Sequence, residues 1–196
     1  MNYINCSEEK IKTWLRENLS EERYLHSLGT AECAKSLALK FNESPEKAYC
    51  AGLLHDAAKC FPHEKLLKIV DEHFNLDDEE RNNKKTLHSP ASAYIAQSVF
   101  GVKDKEILSA IRWHTLGKPD MTTFEKIIFL ADKIETNTRE DSYRKDIADL
   151  VDKDSDLDRA LLLCYKKTIV SLVNRDLRIC PMTIEIYNKL QSKISS

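Results

Sequence analysis

Ala51-Gly52-Leu53-Leu54-His55-Asp56-Ala57-Ala58-Lys59 is the stretch on which the fold of this chain turns. An apolar run ends in a histidine and an aspartate side by side, and a lysine follows within one helical turn. Upstream, Ser44-Pro45 is a helix start, an N-cap followed by proline at the first helical position. The run therefore reads as a helix that ends near Lys59, before Phe61-Pro62. On such a helix His55 and Lys59 share a face, with Asp56 about a third of a turn away. A metal at the helix end can take the imidazole and the carboxylate together, while Lys59 faces whatever anion the metal holds.

Helical spacing of apolar residues continues on both sides. Ile11, Trp14 and Leu15 predict a short first helix opened by Ser7. Leu25, Leu28, Leu37 and Phe41 predict the apolar side of a long second helix after Ser20. A shorter helix covers Glu64 to His73, and the polar stretch Asp77 to Lys85 reads as a solvated loop or frayed turn. Ser89-Pro90 opens a helix through Phe100, Lys103 to His114 forms the next, and Thr122 or Thr123 caps one carrying Phe124, Ile127, Ile128, Leu130, Ala131 and Ile134. Leu157 to Val173 and Thr183 to Ile194 give the last two helices. Four Gly and five Pro are few breakers for 196 residues, which favours helices over a sheet with many turns. No repeat or linker divides the chain. One all-α, multi-helix domain over residues 1–196 is expected, with a motif core of about 23–139 and C-terminal helices over 154–194 completing the pocket.

Hydrophobic residues at 42% and charged residues at 32% describe an ordinary globular protein. A net charge of −2 supplies no basic field for nucleic acid or an anionic membrane. No apolar run reaches the length of a membrane span and the start MNYINCSEEK has no secretory h-region, so the cytoplasm is the expected location. The six cysteines form no CxxC pair and read as small core residues or free thiols.

His26, His55, His88 and His114 sit in or beside apolar helical stretches, where an unpartnered charge is costly. His63 and His73 lie among charged residues and read as surface groups. Asp132 falls inside Lys126-Ile127-Ile128-Phe129-Leu130-Ala131-Asp132-Lys133-Ile134, where a carboxylate needs a cation or several hydrogen bonds to stay ionised. A buried salt bridge to Lys133 or Arg139 satisfies it as well as a metal does. His26 shares a face with Arg23 and Thr30, and Gly29 permits a close helix contact. A lone histidine of this kind is more often a core residue bonded to a carbonyl than a ligand.

The order His26, His55-Asp56, Asp132 on successive helices resembles the HD superfamily of metal-dependent phosphohydrolases. Within it, Arg23 to Leu28, His55-Asp56 with Lys59, His88-Ser89-Pro90, Glu106 to Thr115 and Ile127 to Glu135 are similar to bacterial symmetrical bis(5′-nucleosyl)-tetraphosphatases, over about Arg23 to Tyr187. That resemblance implies a small-molecule nucleotide substrate, diadenosine tetraphosphate, hydrolysed to two ADP. It implies His26, His55, Asp56 and Asp132 as metal ligands. The metal would be a divalent transition metal, iron in the family with manganese or cobalt as alternatives, in one or two ions. Asp56, Lys59, His88 and His114 would be catalytic. Arg23, His26, Lys59, His88, His114, Thr115, Asp132 and Arg139 would face the substrate, with Arg178, Pro181 and Thr183 walling a base or ribose. His88 and His114 read as phosphate contacts, with a second ion as the alternative. Two departures stand out: Ser89 replaces the glycine of a His-Gly-Pro pattern, and Glu135-Thr136-Asn137-Thr138-Arg139 has one residue more than a Glu-Pro-x-Arg pattern and lacks its proline. A nucleotidase or cyclic-dinucleotide phosphodiesterase on the same scaffold, or a non-catalytic binding module, are the competing readings, and a homodimer is left open.

Overall fold

Seven short polar side chains start the helices. Ser7, Ser20, Ser44, Asp77, Asp104, Thr122 and Asp156 each accept a hydrogen bond from a backbone N–H of the first turn, which satisfies donors that the helix itself leaves unpaired. The computed structural model describes residues 4–83, 85–153 and 155–195. Among them are α1 (Glu8–Asn18), α2 (Glu21–Lys40), α3 (Pro45–Leu54), α4 (His63–His73), α5 (Asp78–Arg81), α6 (His88–Ser98), α7 (Lys105–Trp113), α8 (Thr123–Ile134), α9 (Asp141–Lys153), α10 (Leu157–Asn174) and α11 (Pro181–Ser195). The described residues contain no strand. The all-helical expectation therefore holds. Asp154, where the C-terminal helices were expected to begin, lies outside the described residues.

The central element is α8, whose Phe124, Ile127, Ile128 and Leu130 have no exposure. Each buried side chain of that size contributes roughly 1.5–3 kcal/mol. α2 packs most extensively on α3 and next on α8. Gly52 makes the α2–α3 approach close: a Cβ there would stand 2.8 Å from Ala31 Cα and 2.9 Å from the Thr30 carbonyl oxygen.

Four expectations are corrected. The helix read through Lys59 stops at Leu54, and residues 55–60 continue as tight turns closed by Ala57 N→Leu54 O and Lys59 N→Asp56 O. Ser89 does not cap α6; its hydroxyl donates instead to Thr115 Oγ1 at 2.6 Å. Leu25, placed on the apolar side of α2, is 42% exposed. The polar stretch 77–85 contains α5, because Glu80 turns inward to Arg112 of α7 at 2.6 Å; Lys84 lies outside the described residues.

Candidate metal centre

Two of the histidines end their helices by the same device. His55 Nδ1 lies 2.6 Å from the Gly52 carbonyl oxygen and His114 Nδ1 lies 2.8 Å from that of Ile111. A carbonyl oxygen only accepts, so Nδ1–H donates and Nε2 keeps its lone pair. His26 lies between two carboxylates, with Nδ1 3.0 Å from Glu135 Oε1 and Nε2 2.8 Å from Asp132 Oδ1. All three Nε2 atoms turn into one buried cluster, joined by His88 Nε2 at 3.2 Å from that of His114. The Nε2 atoms of His26 and His55 are 3.3 Å apart.

The carboxylates complete the cluster. Asp132 Oδ1 stands 2.8 Å from His26 Nε2 and 3.8 Å from His55 Nε2. Asp56 Oδ2 is 3.7 Å from His55 Nε2, and Oδ1 is 3.1 Å from His88 and 3.4 Å from His114. Two overlapping trios can each hold an ion: His26, His55 and Asp132, and His55, Asp56 and His114. One observation fits a metal to this donor set. Asp56 Oδ1 is buried without a well-directed hydrogen bond, and an orphaned buried carboxylate oxygen is costly unless a cation meets it.

Electrostatics keep His55 and the two aspartates in binding form, while His26 is the exception. Burial alone would raise the Asp56 carboxyl, but His55, His114, His88 and Lys59 outweigh it and hold it well below the usual carboxylate range. Asp132 behaves likewise, with burial opposed by Lys133, His26 and Arg139. Burial drives His55 down to about 3 and His88 to about 4, so both are neutral near pH 7. His26 is raised, burial being outweighed by its hydrogen bonds to Asp132 and Glu135.

Cations line the rim. Lys59 Nζ lies 3.0 Å from His88 Nε2 and 3.8 Å from Asp56 Oδ1, Arg23 lies 3.5 Å from Asp56 Oδ2, and Arg139 reaches Asp132 Oδ1 at 2.7 Å. Thr115 Oγ1 touches both His114, at 2.9 Å, and His88, at 3.2 Å. The salt bridges weighed as the alternative for Asp132 both exist, to Lys133 at 2.6 Å and to Arg139, on a carboxylate that also meets two imidazoles. Arg178, Pro181 and Thr183 make no hydrogen bond or ion pair with the cluster among the described residues. Arg178 pairs with Glu79, and the adjacent Glu80 pairs with Arg112, two residues before His114, so α5 ties the 178–183 segment to the end of α7. Glu135 is the site residue to which the sequence assigns no role, though it falls in the family-like block Ile127 to Glu135; the structure sets it as the C-cap of α8, three residues after Asp132.

This arrangement of histidines and aspartates defines a class. The chain belongs to the HD domain family, which matches residues 23–137, and with that family goes binding of a divalent metal. More particularly, it is 35% identical to the symmetrical bis(5′-nucleosyl)-tetraphosphatase of Bacillus subtilis (strain 168), covering 95% of this chain and 98% of that protein. The protein of the same name from Staphylococcus aureus is 36% identical over 92% of each chain. A crystal structure from Clostridium acetobutylicum, described as a predicted HD superfamily hydrolase involved in NAD metabolism, superposes with a TM-score of 0.90. It is 40% identical, over 96% of this chain and 98% of that one.

Proposed function

We propose that this protein hydrolyses dinucleoside polyphosphates and cuts diadenosine tetraphosphate at its middle, giving two ADP. The observation that carries the reading is the buried cluster of four imidazole Nε2 atoms and two aspartates with Lys59, Arg23 and Arg139 at its rim. It occurs in a chain that matches symmetrical tetraphosphatases over nearly its whole length. His26, His55, Asp56 and Asp132 would hold the ion, which we assign as iron, with manganese and cobalt as substitutes; His114 extends the set if a second ion binds. When bound, a divalent metal supplies polarisation of a phosphoryl oxygen and a more acidic water. Lys59, Arg23 and Arg139 offset the phosphate charge that concentrates as the bond breaks. His88 enters neutral with Lys59 donating to its Nε2, so it would orient the Lys59 ammonium beside the leaving phosphate. Thr115 bridges His88 and His114 and presents a hydroxyl to the same phosphate.

The middle cut follows from measuring. Arg178, Pro181 and Thr183 form the proposed nucleoside wall, and its separation from the cluster would set how many phosphates reach the reacting position. Hydrolysis in heavy-oxygen water is expected to place label in one ADP of each pair, with no labelled AMP. Initial products of ATP and AMP would refute symmetric cleavage. In the same preparation, Asp132→Ala is expected to lose both metal, by elemental analysis, and activity while remaining helical; full metal occupancy in that variant would reject the ligand set.

A further inference from the structure

Glu135 has no place in the ligand set, yet it is 1% exposed and its carboxylate is heavily bonded. It accepts from His26 Nδ1 at 3.0 Å, from Asn137 N at 2.6 Å, and from Thr138 N at 3.1 Å and 3.2 Å, with Thr138 Oγ1 as a further donor. Space for it is cut into α2: a Cβ on Gly29 would collide with Glu135 Oε2. The turn it gathers is the one with the added residue and without the proline. That turn is pinned to α2 by Asn137 Nδ2→Leu25 O at 3.0 Å, and it ends on Arg139, which grips the Asp132 carbonyl oxygen and Oδ1. One carboxylate thus orients a histidine on its inner side and folds the arginine-bearing turn on its outer side.

We infer that Glu135 is a positioning residue: it fixes His26 in the tautomer that offers Nε2 to the metal and sets the 136–138 turn that delivers Arg139 to Asp132. The inference rests on His26 being a ligand. Carboxylate partners of this kind raise ligand basicity and lock ring orientation, and their loss typically costs about 10–100-fold in metal affinity. The test is nitrogen-15 NMR of the full chain loaded with Zn²⁺, a diamagnetic probe, with Zn²⁺ affinity measured by competition against a chromophoric chelator. The unsubstituted protein is expected to show a hydrogen-bonded, downfield Nδ1–H on His26. Finding the proton on Nε2 overturns the inference, whatever any variant does. Glu135→Gln is expected to lose the downfield proton and at least tenfold in Zn²⁺ affinity, with Glu135→Asp recovering part of both. A Glu135→Gln protein with unchanged affinity and an unchanged His26 resonance overturns it as well. His26→Ala separates the two readings: if it keeps full Zn²⁺ affinity, the ligand assignment itself fails; if it loses Zn²⁺ while Glu135→Gln does not, the positioning role alone fails.

Discussion

Burial and the carboxylates beside each imidazole decide how His26, His55 and His88 respond to acid. His55 at about 3 and His88 at about 4 stay neutral in the folded chain, whereas in the unfolded chain they take protons near 6.5. Between those limits the unfolded state binds more protons, so stability is complete above about 6.5 and declines as pH falls toward 4 and then 3. Asp56 and Asp132, both depressed, add losses of the same sign below about 3.8. His26 is raised and works oppositely, adding stability below about 6.5 that is lost as pH rises through its folded value. Two depressed histidines against one raised predict a lower urea midpoint for the metal-free protein at pH 5 than at pH 7; an equal or higher midpoint at pH 5 would contradict these environments. His55-Asp56, Lys59 and Asp132 stand out against apolar helical stretches, whereas His26 alone reads as a core histidine and becomes a ligand candidate only through the family resemblance. Glu135 enters the sequence reading only as part of family-like blocks, because its bond to His26 and the recess at Gly29 that admits it exist only in the fold.

At the scale of elements, caps and apolar spacing located most helices, while two were invisible. α9 buries Ile147 and Val151, a narrow stripe in a run of charges, so its helix depends on the packing partners α10 and α8. α5 is four residues long and exists because Asp77 caps it and Arg112 receives Glu80. Arg112 lies 32 positions from Glu80 along the chain. Gly29, which the sequence marks for a close helix contact, faces Glu135 and Asn137 instead, and the close α2–α3 approach falls at Gly52. Gly52→Ala drives a methyl into the backbone of Thr30 and Ala31, atoms that cannot rotate away. The expected cost is about 1–3 kcal/mol in urea unfolding. Metal affinity is expected to fall as well, since α2 carries His26, the end of α3 carries His55, and their Nε2 atoms are only 3.3 Å apart. Unchanged stability would show that α2 and α3 can separate freely.

For the whole molecule, a bound ion would tie together α2, the turns after α3, the end of α7 and the end of α8. An ion that binds the folded state alone adds about 2.7 kcal/mol when free metal is a hundredfold above Kd, or about 5–11 °C in Tm for a chain of this size. Chelation is expected to lower Tm by that order in the unsubstituted protein and to leave Asp132→Ala unmoved; equal shifts in both would place the stabilising ion elsewhere. His26 and Arg139, which approach to 3.5 Å, are separated by 113 positions along the chain. A ribosome adding about 5–20 residues per second therefore needs roughly 6–23 s between making the first and the last of these groups. For all but the last few residues of that interval the nascent chain carries His26 and then His55-Asp56 without Asp132 to close the set. The centre is thus completed late in synthesis, and a chain broken off before α8 would leave the ribosome with its early histidines but with no finished cage for an ion.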